Sequence, residues 1–241
     1  MKSKGEMGAV KRNIFTNLVL GVLVLSVGAL CLSPVGETAY TSGEETQIYR
    51  EAKNGGVGVS LMFNVYQGTN EVHQILQTLE KYGAKCTFFV GGCWADDNVE
   101  TLKTILEKGH ELGNHGYFHK DQDKLDLVQN RKEIDDCNQF IHLATGIRPT
   151  LFAPPSGAYN EHTLSACQAL GMKTVLWSRD TIDWRDKNPA IIYTRATKNI
   201  KTGEFVLMHP TQATADALED ILKYYHSLAL TVVTVSENIK E

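Results

Sequence analysis

Residues 86–119 read CTFFVGGCWADDNVETLKTILEKGHELGNHGYFH, and the order of patterns in them decides the fold. CTFFVGG (86–92) is a short apolar run of aromatic and β-branched residues that ends on glycines, the signature of a buried strand. NVETLKTILEKG (98–109) follows with the character of a helix and stops at Gly109. HELGNHG (110–116) holds a second short strand. Strand, helix and strand within roughly thirty residues make a βαβ unit, and a crossover helix leaves its two strands parallel.

The same alternation runs in both directions. Upstream lie the strand VGVSLMFNV (57–65) and the helix NEVHQILQTLEKYG (70–83). Downstream come the helix DKLDLVQNRKEIDDCNQFIHLATG (123–146), TLFAPPSG (150–157), EHTLSACQALG (161–171) and KTVLWS (173–178). NPAIIYTRATKNI (188–200), EFVLMHP (204–210), TADALEDILKYYHSLA (214–229) and LTVVTVSENI (230–239) complete the series. This is an α/β pattern with a parallel sheet, and it has about seven units, too few for an eight-unit barrel. A smaller, distorted barrel over residues 56–241 is the expectation. In such folds chemistry gathers at the C-terminal ends of the strands. Here those ends are Asn64, Gly91–Cys93, His115, Ala153–Gly157, Ser178–Trp184 and His209.

Composition narrows the function classes. The 241 residues are 42% hydrophobic and 22% charged, enough for a real core, with a net charge of −4. Lys2, Lys4, Lys11 and Arg12 outweigh Glu6 in the first twelve residues, so the remainder is more acidic than the whole. With no basic stripe on that body, nucleic acid is not an expected partner. The basic start leads into Ile14–Leu32, 19 residues without a charge. Residues 1–33 therefore read as a cytoplasmic stub with a signal-anchor, oriented N-in, or as a cleaved signal peptide. Glu37 stands where a small residue is wanted ahead of a cut after Ala39, which favours the anchor. Residues 34–55 are polar and small and suit a tether. Either reading puts the body outside the cell membrane, anchored or secreted. Cys86, Cys93, Cys137 and Cys167 stand at wide, irregular spacings and read as buried free thiols.

His115 and His119 are spaced for one face of a helical turn, where both imidazoles could reach one ion. The zinc-protease pattern needs a glutamate after the first histidine, and Gly116 stands there instead. His73, His110, His142, His162 and His226 fall on helices or helix–strand junctions and read as surface or packing residues.

Taken in order, the loops resemble five motifs of one family. LMFNVYQG (61–68), HGYFH (115–119), FAPPSG (152–157), WSRDTIDW (177–184) and VLMHP (206–210) are similar to those of the polysaccharide deacetylases that share the NodB homology domain, carbohydrate esterase family four. The resemblance covers residues 57 to 236 and implies a distorted (β/α)7 barrel of the NodB type. It also implies metal-assisted hydrolysis of N-acetyl groups on cell-wall or chitin-like glycans, with peptidoglycan or another N-acetylated polysaccharide as partner. His115 and His119 would be ligands of a divalent metal, often zinc in the family, and His209 the general acid. Asp183 and Trp184 would belong to the supporting motif, with Leu207 lining the acetyl pocket and Pro154 and Trp184 contacting substrate.

The chain also departs from the family. The first motif usually supplies a base aspartate and a ligand aspartate, and here Asn64 and Val65 occupy those places. Ala153 stands for the arginine that normally pairs with the motif-four aspartate, which leaves Asp183 without its expected partner. Gly68 resembles relatives associated with sporulation, although Gln67 stands where they carry a tryptophan. Two functions follow. One is a hydrolase of reduced or altered activity, with Asn64 in the site and Asp180 or Asp121 standing in as base. The alternative is an inactive homologue that binds cell-wall glycan.

Overall fold

The computed structural model describes residues 48–240. The predicted anchor, and the tether up to residue 47, lie outside that range. The described strands are β1 (Ile48–Tyr49), β2 (Ser60–Val65), β3 (Thr87–Val90), β4 (Glu111–Asn114), β5 (Leu151–Phe152), β6 (Lys173–Val175), β7 (Arg179–Asp180) and β8 (Phe205–Met208). They form one sheet in the order β1-β6-β5-β4-β3-β2-β8-β7, and every ladder in it is parallel. The sheet curls, and among the described residues no ladder joins β1 to β7. The distortion expected of the barrel is that open seam.

Nine α-helices are described: α1 (Thr69–Lys81), α2 (Gly92–Asp97), α3 (Val99–Glu107), α4 (Leu127–Thr145), α5 (Glu161–Ala169), α6 (Asp183–Asp186), α7 (Pro189–Thr197), α8 (Gln212–Ser227) and α9 (Val235–Asn238). Side chains alternate across a strand, and β2 shows what that does here. Leu61, Phe63 and Val65 pack with the helices, against Val72, Ile75 and Leu79 of α1 and Leu218, Ile221 and Leu222 of α8. Met62 belongs to a separate cluster inside the curl, with Phe89, Leu151, Val175, Phe205 and Leu207. Buried on both faces, β2 has no alternating exposed polar residues and reads as an apolar run broken only by the buried Ser60 and Asn64.

Three differences from the sequence reading have local causes. Ile48 and Tyr49, assigned to the tether, pair with Thr174 and Val175, because extended apolar residues complete the hydrogen bonding of the β6 edge. Nearby, the Leu176 amide donates to the Tyr49 carbonyl at 2.8 Å, and Ala52 is buried. The chain after β3 turns at once into α2, where Gly92 lies against the Tyr117 ring. LTVVTV is not a full strand. Only Val232 bridges, to Val59, and the chain then closes the lower end of the curl as α9. Asn238 fixes that closure. Its Oδ1 accepts from the amides of Val57 and Gly58, and its Nδ2 donates to the Gly58 carbonyl and Ser60 Oγ, at 2.9 to 3.2 Å.

Gly113 in β4 marks a tight contact within the sheet. A Cβ there would lie 2.4 Å from the Phe89 ring, which is fully buried. Gly113→Ala should therefore cost about 1–3 kcal/mol through overpacking, lowering the melting temperature by roughly 2–4 °C per kcal/mol. An unchanged melt would show that Phe89 has room to move.

All four described cysteines are free, as expected, but Cys93 is exposed rather than buried. His110, expected to be a packing residue, is 5% exposed, and its Nδ1 accepts from the Cys86 amide at 3.3 Å. Burial first, then Lys85 and Lys108, push its imidazolium down from the ordinary 6.5 to about 4. Below pH 6.5 the unfolded chain takes up a proton that the folded chain refuses until about pH 4, so stability falls as pH drops through this window. The slope from this group is on the order of 1 kcal/mol per pH unit. His110→Asn keeps an acceptor for the Cys86 amide without a titrating group. Denaturant midpoints between pH 7 and 4 should fall less steeply in that variant than in the wild type.

Candidate active site

The predicted residues arrive at one cleft from separate strand ends. Asn64, Tyr66, His115, His119, Ser156, Trp177, Asp180, Trp184, Leu207 and His209 line a cavity of about 340 Å³. Asn64 is the inward-facing residue near the end of β2, His115 follows β4 directly, and His209 follows β8. Sequence separations of up to 145 residues are erased because all three lie at or just beyond the ends of parallel strands that finish on the same side.

His115 is buried, and its Nδ1 lies 2.7 Å from the Ala153 carbonyl. A carbonyl only accepts, so Nδ1 carries the proton and Nε2 keeps its lone pair. Burial is the first cause, and the neighbouring His119 the next, that push the His115 imidazolium down to about 3. This ring is neutral at physiological pH. The imidazole centroids of His115 and His119 are 5.0 Å apart and meet edge to face. The pair does not sit on a helical turn, however. His119 has φ +54°, in the left-handed region, and the segment between the two rings is a loop.

That loop is held by residues with no marker in the sequence. Asn114 Oδ1 accepts from the Gly116 amide at 2.7 Å, while its Nδ2 donates to the Ile134 carbonyl and to Asn138 Oδ1. Glu133, buried on α4, accepts from the Phe118 amide, and its backbone carbonyl accepts from the Tyr117 amide at 3.1 Å. Both residues look like ordinary polar positions until the helix is docked. Tyr66, also unforeseen, packs its ring 4.0 Å from that of His119.

Asp183 lies fully buried at the start of α6 and does have partners, contrary to expectation. Its Oδ1 accepts from His209 Nδ1 at 2.7 Å and from the Trp184 amide at 2.9 Å. Its Oδ2 accepts from the His209 amide and from Thr214 Oγ1, both at 2.6 Å. These four donors take the place of the absent arginine. They also set the His209 tautomer: Nδ1–H faces Asp183, leaving Nε2 as the free nitrogen of a ring that lines the cleft.

The remaining predictions divide. Leu207 and Trp184 line the cleft, the indole of Trp184 being 54% exposed at its mouth. Pro154 is buried and does not line it; Ser156, two residues on, supplies that wall. Val65 faces the helix-side core with no exposure. Of the two acids proposed as stand-in bases, Asp180 lines the cleft, its Oδ1 accepting from the Ile182 amide at 2.7 Å. Asp121 does not line it and pairs with Lys124 at 2.6 Å. Among the described residues, no group of three or more His, Cys, Asp or Glu side chains is placed to hold a metal ion.

Comparison with known proteins agrees with this geometry. The polysaccharide deacetylase family pattern matches residues 52–175. The chain belongs to the polysaccharide deacetylase family. This deacetylase-family protein is 36% identical over 183 residues to YlxY of Bacillus subtilis, covering 76% of this chain and 57% of that one. It is 34% identical over 180 residues to the peptidoglycan-N-acetylmuramic acid deacetylase PdaC of the same organism, covering 74% and 38%. The chain thus spans about half the length of these relatives. Among solved structures it resembles a CE4 family pseudoenzyme from Bacillus anthracis, with TM-score 0.79 and 30% identity, covering 82% of this chain and 70% of that one. A mutant of that pseudoenzyme, described as having restored enzymatic activity, matches with the same TM-score at 29% identity, covering 82% and 73%.

Proposed function

We propose that this protein recognises N-acetylated cell-wall glycan, peptidoglycan in the first instance, and that its deacetylase chemistry is reduced to a trace. The observation that carries this reading is Asn64. It stands where the family resemblance puts the general base, only 2% exposed, and its Oδ1 is buried without a hydrogen-bond partner. An amide cannot take up a proton near neutral pH, and losing a general base costs about 10²–10⁴-fold in rate.

The donor set fits a divalent cation such as zinc, but without an anionic ligand. His115 Nε2, the His119 ring and the orphaned Asn64 Oδ1 supply two nitrogens and one neutral oxygen. The His115 and His119 rings, with centroids 5.0 Å apart, would hold the ion between them. When bound, the ion supplies Lewis-acid polarisation of the acetamide carbonyl. The protein's own groups do the rest. Leu207 and Trp177 form the apolar wall for the acetyl methyl, and Trp184 offers a flat face to a sugar ring. His209 Nε2, oriented by Asp183, is aimed at the leaving nitrogen. The body is placed outside the cell membrane, held by segment 1–33 or released from it; that placement rests on the sequence and on the peptidoglycan named in the relatives.

The wild-type chain should cosediment with purified peptidoglycan and release no amine above background from it or from N-acetylglucosamine oligomers. Stoichiometric zinc together with wild-type turnover that His115→Ala abolishes would overturn this reading. A second reading, a slow hydrolase, has one observation in its favour: the Asp180 carboxylate faces the cleft. In that case residual amine release should disappear in Asp180→Asn.

A further inference from the structure

The two imidazoles of the histidine loop are fixed by different means. His115 follows β4 directly, and the Ala153 carbonyl accepts from its Nδ1 at 2.7 Å. His119 lies past the amides that fasten the loop. The Gly116 amide donates to Asn114 Oδ1, the Tyr117 amide to the Glu133 carbonyl and the Phe118 amide to the Glu133 carboxylate. Among the described residues none hydrogen-bonds the His119 amide, and none but His119 itself hydrogen-bonds its ring. Its φ of +54° is uncommon outside glycine, so backbone preference does not hold the residue here either.

Tyr66 packs against that ring. It comes directly after the last residue of β2, next to Gly91 beyond the end of β3, and it lines the cleft. The Tyr66 and His119 centroids are 4.0 Å apart, with the planes tilted by 37°. His115 meets the same imidazole edge to face, at 5.0 Å and 70°. A stacked neighbour covers a face of the imidazole, whereas the nitrogen lone pair lies in the ring plane and stays open to an ion. Tyr66 is 41% exposed, and its hydroxyl makes no hydrogen bond with another described residue. The side chain is therefore neither a core residue nor a polar anchor, and its ring contact with His119 is the role left to it.

Such a contact matters most in a site without a carboxylate. Two neutral nitrogens and one neutral oxygen offer a cation no net charge, so affinity depends on ligands that are in place beforehand. A side chain that freezes only when the ion arrives gives back part of the binding free energy as lost rotamer freedom. A histidine ligand is ordinarily spared that loss by a partner on its other nitrogen, as His115 is by Ala153. We propose that Tyr66 is the positioning residue of His119, its stacked ring holding the imidazole in ligand orientation where no hydrogen-bond partner does. This rests on the divalent-cation reading of the cleft and adds to it a residue outside the donor set.

Zinc binding by the full chain, measured by calorimetry, tests this with Tyr66→Phe and Tyr66→Ala, each in the wild-type background and again with Asn64→Asp/Val65→Asp added. Tyr66→Phe keeps the stack and should bind zinc as its parent does. Tyr66→Ala should lose about 3–10-fold in affinity in both backgrounds. Proton NMR of the metal-free protein reads the position itself: cross-relaxation between the His115 and His119 rings should persist in the wild type and in Tyr66→Phe and fade in Tyr66→Ala. Thermal melts without zinc confirm that the variants fold. Equal zinc affinity of the Phe and Ala variants in both backgrounds, or a ring contact that survives Tyr66→Ala, would overturn the proposal and leave the cation site standing. If the wild type takes up no zinc but the carboxylate background does, the reading of the natural donor set fails on its own. A difference between Phe and Ala in that background then upholds Tyr66, and equality overturns it. If neither background binds zinc, the cation site and the proposal fall together.

Discussion

Asn64→Asp/Val65→Asp should turn a protein without measurable amine release into one that deacetylates N-acetylglucosamine oligomers at least about 10²-fold faster than the wild type. The scaffold for this gain is already in place. His209 is oriented by Asp183, His115 is neutral with its lone pair free, and Leu207 lines the cleft. On the function proposed above, what is missing is one base and one negative ligand. The two substitutions carry different costs. Asn64 lies on the inner face, where a carboxylate meets the cleft. Val65 is fully buried among the helix-side residues, and a carboxylate there is destabilising unless it turns round the end of β2 to the cleft, where a bound cation would neutralise it. Added zinc should therefore raise the melting temperature of the double variant more than that of the wild type. A double variant that binds zinc yet releases no amine would show that the defect lies elsewhere in the cleft.

Asp183→Ala should produce the largest loss of stability, about 3–5 kcal/mol. The substitution strips the acceptor from the His209 amide, His209 Nδ1, the Trp184 amide and Thr214 Oγ1, all gathered around a carboxylate with no solvent exposure. Buried donors left unpaired cost about 1–3 kcal/mol each. Thr214 Oγ1 escapes part of that cost, because Thr211 Oγ1 lies 2.9 Å away. At roughly 2–4 °C per kcal/mol the melt should drop by about 10 °C. Thr214→Ala, which removes a single donor, should cost far less. A melt within a few degrees of wild type for Asp183→Ala would mean that water reaches the carboxylate's place and satisfies those groups.

How much of this was legible in the chain depends on the range of the interaction involved. The strand runs at 57–65, 86–92 and 204–210 were readable, because a parallel strand buried on both faces is mostly apolar, Ser60 and Asn64 being the exceptions in β2. The helix ending at Gly146 was readable too: the glycine takes φ +77°, a conformation that side chains other than glycine rarely adopt. The very short strands Ile48–Tyr49 and Arg179–Asp180 were not readable, since two residues carry no periodicity and gain their hydrogen bonds only from a neighbour already in place. The strand expected from LTVVTV failed for the same reason in reverse. That segment has the composition of a strand, yet the fold offers it one bridge and then needs a plug.

The sequence by itself determined the succession of parallel units and pointed to Asn64, His115, His119, Asp180, Trp184, Leu207 and His209, which line the cleft, but not to Tyr66, which lines it too. The family resemblance marked the departures at 64 and 65, because the order of motifs and the residue types at strand ends are local facts. Only the tertiary structure decided how those groups are held. Asn114 and Glu133 bend the histidine loop, four donors rather than an arginine secure Asp183, and Val65 turns away from the cleft. Each of these is a contact that local sequence does not specify. Such contacts exist only after the sheet has curled and the helices have docked on it.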